Sequence, residues 1–372
     1  MFRIFRETFL TPMKLPFYFL VMSAALSCTT PSESQTDSLE NSYLVLVVEQ
    51  GKSQVKVFDL KGSLVDTVQV GYNPHEIEWD AAEGRAYVSN FGVEDYDNTL
   101  GIPGNSIAVI NPENLSEITS WSTFREGIPE DSSKGPHGLK LRPNHQNELF
   151  VNLEYGDAML IFDTRTGKIT RSFPIPKASH NFIFSPDGTV LWLMAGTNGL
   201  YEFDPDTGEE LAHFPVQSAL RGLELTRDGK KLLLSCQNEL YLLNSSHLEL
   251  IKHYTDLGVK QIIYSCFSPD ESLLFAPCPY DNKVLVIAVE TGTILQELHT
   301  GKAPISVKIS RDQTKAFVAN ALDDHMSVID LKDYSISSFG SVFKPNGFLF
   351  WQRRNKSIYS NGFGRKKPIR LN

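Results

Sequence analysis

From Tyr43 onward the apolar and β-branched positions come in short runs, several alternating with polar ones, and Gly-containing turns separate them. Tyr43 to Val48, Gln54 to Phe58 and Leu64 to Val70 are the first three such runs. A similar short strand then returns in a fixed phase. Aligned on its last apolar residue, it ends at Trp79, Leu141, Phe184, Leu225, Phe267, Ile309 and Phe350. Subtracting successive positions gives intervals of 62, 43, 41, 42, 42 and 41. A period near 42 made of strands, not of helix pairs, predicts an all-β fold whose repeats are four-stranded blades of a β-propeller.

Two turns recur in the same phase. Ser185-Pro186-Asp187-Gly188 joins the first two strands of its repeat, with variants at Thr226 to Gly229, Ser268 to Glu271 and Ser310 to Gln313. A second turn joins the outer strands, at Asp163 to Gly167, Asp204 to Gly208 and Val289 to Gly292. Six complete repeats begin at Pro74. The three opening strands lack an innermost partner, and Pro345 to Phe350 is an innermost strand without the rest. Pairing them predicts seven blades, with the chain's ends closing one sheet and leaving no open edge. The propeller is expected over residues 43–354, with Lys356 to Asn361 as a surplus strand-like run.

At this point the repeats resemble a known family. Ala86-Tyr87-Val88-Ser89-Asn90 and Ala316-Phe317-Val318-Ala319-Asn320, each followed by a segment such as Ser327-Val328-Ile329-Asp330, are similar to the repeats of bacterial YVTN-type β-propellers. The resemblance spans residues 43 to about 350 and implies the seven-bladed fold. It implies no single activity, because similar propellers serve as surface-layer proteins, cofactor-associated subunits and ligand binders. Pro136-His137-Gly138 also resembles strand starts in propeller lactonases.

The beginning of the chain reads differently. Arg3, Arg6 and Lys14 precede an apolar run from Leu15 to Leu26, too short to span a bilayer and followed by Ser27-Cys28. Residues 1–27, starting at Met1 or Met13, resemble a bacterial lipoprotein signal peptide. The resemblance implies lipidation of Cys28, a Ser/Thr-rich tether over residues 28–42, and a membrane-anchored protein of the cell envelope facing the periplasm or exterior. Removing residues 1–27 takes the formal charge from -9 to -11. An acidic body without a basic stripe argues against nucleic acid as a partner. Positive charge gathers instead toward a basic C-terminal tail, residues 355–372, which is read as a solvated segment lying on the acidic body. Cys236, Cys266 and Cys278 match no zinc spacing and read as buried thiols, although an envelope location allows one disulfide among them.

Candidate chemistry follows from ring closure. Four residues before each aligned strand end stand Asn346, His75, His137, His180 and Arg221 in ring order, with Ile263 and Ile305 completing the circle at one mouth of the channel. His75, His137 and His180 are candidate ligands of a divalent metal. With Arg221 and Asn346 they are equally candidates for an anion or polar-ligand site, and each histidine could instead be a structural hydrogen-bonding residue. Asn90 and Asn320, at strand ends on the same face, join the ligand-binding candidates. Loops opening there add Glu94, Asp95, Asp97, Glu154, Asp157, Asp323, Asp324 and His325, which could complete a cation site or an acid and base pair. Nucleophile-elbow, zincin, P-loop, dinucleotide and haem-attachment motifs are all missing from the sequence. The expectation is a monomeric, lipid-anchored propeller that binds a protein or small-molecule ligand, with a lactonase-like hydrolase or metal-assisted lyase as the alternative.

Overall fold

The computed structural model describes residues 43–94 and 99–352. The signal peptide, Cys28, the tether, Asp95, Asp97, the surplus strand-like run and the basic tail lie outside them. The described residues form seven four-stranded antiparallel sheets, each meandering outward from an innermost strand. Blade one consists of Pro74–Asp80, Arg85–Asn90, Ser106–Asn111 and Ser116–Ser122. Blades two to six follow in chain order, with innermost strands Pro136–Leu141, Asn181–Phe184, Leu220–Leu225, Cys266–Phe267 and Pro304–Ile309. Blade seven takes its innermost strand, Pro345–Gln352, from the end of the chain and its other three, Tyr43–Glu49, Gln54–Asp59 and Leu64–Gln69, from the beginning. The register joins Val45 to Phe350 and Tyr43 to Gln352. The fold is a seven-bladed β-propeller.

Alternation along the strands explains the packing, because each strand buries one set of side chains against the preceding blade and the other set against the next. Seven apolar clusters result, one at each blade boundary. Tyr87, Val109 and Trp121 of blade one, for example, meet Leu139, Val151 and Phe162 of blade two. Trp121, on the outermost strand of blade one, is buried there and stacks on Phe162. Cys236, Cys266 and Cys278 are free, buried thiols in three of these clusters. With the apolar core distributed between blades, the axis is left to polar residues.

The recurring Ser-Pro-Asp-Gly turn has a consistent chemistry. Ser185 Oγ donates to Asp187 Oδ1 at 2.6 Å and accepts from the Val190 N–H, while the Thr189 N–H reaches the same carboxylate. The hydroxyl and Asp pair repeats at Thr226 and Asp228, Ser268 and Asp270, and Ser310 and Asp312. These turns all lie at the end of the channel opposite the mouth. Blade five departs from the pattern: its innermost strand is only Cys266–Phe267, and Tyr264 takes a left-handed φ of 32°.

Candidate functional site at the channel mouth

Ring closure brings His75, His137 and His180 together from three consecutive blades. The His137 ring centroid lies 3.8 Å from that of His75 and 3.8 Å from that of His180, whereas His75 and His180 stand 6.1 Å apart. The three imidazoles form a tilted stack with His137 in the middle. Phe91, from the start of the long blade-one insertion, packs edge-on against His137 at 4.9 Å and stacks with Tyr155 at 5.8 Å. His137 is fully buried as a result.

The local backbone fixes this arrangement. The Gly138 N–H donates to Asn152 Oδ1 at 2.8 Å, and Asn152 Nδ2 donates to the Ser179 carbonyl, which ties blade two to blade three on either side of His137. The Glu154 N–H donates to the Gly135 carbonyl, and the His180 N–H to that of Met194. Gly135, at φ 75°, admits Tyr155 so closely that a Cβ there would sit 2.4 Å from its ring.

Burial, followed by the neighbouring His180, His75 and Arg221, holds His137 well below the usual histidine range. It is therefore neutral at ordinary pH, and neither of its ring nitrogens has a hydrogen-bond partner among the described residues. Glu154 Oε2 lies 3.0 Å from His180 Nδ1 and 3.8 Å from His137 Nε2. The donor atoms that converge are thus those of His137, Glu154 and His180. The set differs from the three histidines expected from the ring positions, because the stack directs Glu154, not His75, toward His180.

Above the stack opens a cavity of about 260 Å³ lined by His75, Glu154, His180, Arg221, Tyr280 and Asn346, with Ile263 and Ile305 on the apolar side. Six of the seven ring positions line it, and the seventh is buried His137. Glu94 also lines it and is held by Lys344 at 2.7 Å. The Arg221 guanidinium has neither an ion-pair nor a hydrogen-bond partner among the described residues. Asn90 and Asn320 lie outside the cavity and brace loops: Asn90 Nδ2 donates to Ser106 Oγ, and Asn320 Nδ2 to the His325 carbonyl and Ser327 Oγ. Gly71 and Gly301 rest against these two amides, where a Cβ would come within 2.5 Å of either. Asp323, Asp324 and His325 form a separate, more exposed cluster, and Asp157 is absent from the cavity lining.

Sequence reading gave no role to the channel below the mouth. One residue beyond the ring positions, Asn181 Nδ2 donates to Glu76 Oε1 at 3.2 Å and to the Tyr264 hydroxyl at 3.3 Å, so residues of blades one, three and five bridge the axis. Two residues further, Lys140 pairs with Glu78 at 3.3 Å, and Lys308 donates to the Phe348 carbonyl while lying over the Phe348 ring. Lys140 is raised above the usual lysine range, chiefly by Glu78, and Lys308 is lowered by burial. Burial also pushes Glu224 up to about 7, against the pull of Lys308 and Lys140. A larger cavity of about 590 Å³ runs past Lys140, Glu224 and Lys308 toward the opposite face. Counting one and three residues on from each ring position would have found these groups.

The class defined by fold and site is a seven-bladed propeller with a polar, histidine-rich mouth. No family model matches the chain, and no curated protein does either. Among solved structures it is similar to a candidate 6-phosphogluconolactonase from Bacteroides uniformis, at 16% identity and TM-score 0.65, covering 83% of this chain and 100% of that one. A candidate 6-phosphogluconolactonase from Bacteroides fragilis gives 16% identity and TM-score 0.65, with 84% and 99% covered. Hydrazine synthase from Kuenenia stuttgartiensis gives 17% and 0.66, with 79% and 93% covered. At these identities the likeness carries the fold alone.

Proposed function

We propose that this protein is a binding propeller of the cell envelope, anchored through Cys28, whose mouth captures a small anionic, oxygen-rich molecule. The observation that carries this reading is Arg221: a guanidinium on the wall of a 260 Å³ cavity that His75 and His180 also line, without a carboxylate partner among the described residues. An unpaired guanidinium presents a fork that matches a carboxylate or phosphate in two hydrogen bonds. Neighbouring Tyr280 and Ile305 supply the apolar flank that small-molecule sites use to exclude water. Titration calorimetry with a panel of small carboxylates and phosphate esters tests the proposal. At least one member is expected to bind, with affinity falling tenfold or more in Arg221→Ala. Equal affinity in wild type and Arg221→Ala, or no binding across the panel, refutes the Arg221-centred site.

A second reading is hydrolysis of a small lactone. It is favoured by the His180 and Glu154 pair at 3.0 Å, an imidazole oriented by a carboxylate beside Arg221. Two of the structural neighbours are described as candidate 6-phosphogluconolactonases. Hydrolysis of a lactone panel is expected to fall at least a hundredfold in His180→Ala. Wild-type protein that is inactive on the panel removes this reading and leaves the binding one.

A further inference from the structure

We propose that His137, His180 and Glu154 form a three-ligand site for a divalent transition-metal ion of zinc's type, with its open position facing the cavity of Arg221. The donor geometry carries the proposal. A tetrahedral ion with bonds of about 2.0 to 2.1 Å holds its ligand atoms roughly 3.3 Å apart. Glu154 Oε2 lies 3.0 Å from His180 Nδ1 and 3.8 Å from His137 Nε2, so the separations bracket that value before any ion has drawn the groups inward.

Burial is the second, independent observation. His137 is wholly enclosed by other side chains, yet neither ring nitrogen is hydrogen-bonded among the described residues. Polar atoms sealed from water are almost always paired, and an unpaired imidazole beside a carboxylate and a second imidazole is arranged as a ligand is. Two nitrogens and one carboxylate oxygen suit zinc or its first-row neighbours, whereas magnesium and calcium prefer oxygen throughout. The backbone contacts of Glu154 and His180, and the Asn152 clamp on Gly138, hold all three ligands on rigid blade ends. His75 stacks on His137 but stands outside the converging set, so it shields the site without ligating.

The inference deepens the reading of the mouth, but it rests on different atoms from the Arg221 fork. Tag-free residues 28–372, stripped with chelator, are dialysed against micromolar zinc, desalted and analysed for metal. Cobalt serves in parallel as a spectroscopic probe of tetrahedral coordination. Wild type is expected to retain about one zinc per chain and to give intense visible cobalt absorption. Both signals should be lost in His180→Ala, zinc affinity should drop at least tenfold in Glu154→Gln, and both should survive in His75→Ala and in His325→Ala, which controls for the separate Asp323 cluster. Thermal unfolding checks that each variant is folded. Wild type holding less than a tenth of an equivalent, or cobalt spectra unchanged in both ligand variants, overturns the site. Repeating the anion titration on the chelated protein separates the two ideas: Arg221-dependent binding that persists without zinc leaves the binding function standing whatever the metal result.

Discussion

The two halves of the channel are built from the same strands, a few residues apart, and solve opposite problems. In the mouth, His75, His137 and His180 crowd together as a tilted stack around a buried His137 held in its neutral form, and Arg221 has no carboxylate partner among the described residues. Lower down, the charges answer one another: Lys140 with Glu78, and Lys308 within the field of Glu76, Glu78 and Glu224. A region whose charges of opposite sign face one another has less to gain from a ligand. One in which the Arg221 guanidinium and the His137 ring nitrogens lack partners among the described residues has more to gain. The difference is the reason for placing the proposed ligand at the mouth and not in the lower ring.

Three substitutions sharpen or break that contrast. The largest effect is expected from Gly138→Ala, which stands between the two regions. Its Cβ would lie 2.3 Å from Asn181 Oδ1 and 2.6 Å from Asn152 Oδ1, so it drives a wedge into both the axial bridge and the clamp below His137. A loss of about 2 to 3 kcal/mol is expected in urea unfolding. A loss of under about 0.5 kcal/mol would show that the axis is slack and that the mouth is not held rigid.

Next comes Lys140→Met. It leaves Glu78 without its cation on the channel wall, and about 1 to 2 kcal/mol of stability should go, less than for a fully buried pair because both side chains are partly wetted. Anion affinity at the mouth should be unchanged, and a tenfold change there would mean the two regions are one site.

The smallest effect is conditional on pH. Glu224 titrates near 7 when folded, against 4.5 unperturbed, so the native state binds a proton more tightly than the unfolded chain. Its raised value therefore lowers stability progressively as pH rises through the interval from 4.5 to 7, with the full penalty above it. Glu224→Gln should match wild type below that interval and exceed it by roughly 1 kcal/mol at pH 8, after discounting for channel water. Melting curves at the two pH values decide the matter, since a constant difference between them would place Glu224 in ordinary solvent.

Much of this was legible before any coordinates. The phase of the repeat placed Asn346, His75, His137, His180 and Arg221 on one ring, and two turns recurring in that phase supported the period. Strand position, however, does not determine where a side chain swings. Glu154 and His75 were both within reach of the mouth on paper, and only the angle between blades and the packing of Phe91 on His137 decide which of them faces His180. Asn90 and Asn320 stood out because they recur in phase. Recurrence in a repeat protein marks repeated structure as readily as function, and both amides brace the loops of Gly71 and Gly301. Tyr264 sat in plain view one residue after Ile263, but its direction did not. It enters the axial bridge through a left-handed backbone that the aligned pattern, written for regular strands, gave no cause to expect.

Closure of blade seven has a consequence for orientation. Pro345–Gln352 runs from the histidine end toward the other face, and Tyr43 pairs with its last residue, Gln352. The polypeptide therefore enters its first strand on the side away from the imidazoles, opposite the face where the ligand is proposed to bind. If the proposed anchor upstream of Tyr43 holds, the chain would leave the propeller from the face that the open basin does not share, which keeps the tether clear of the basin's rim.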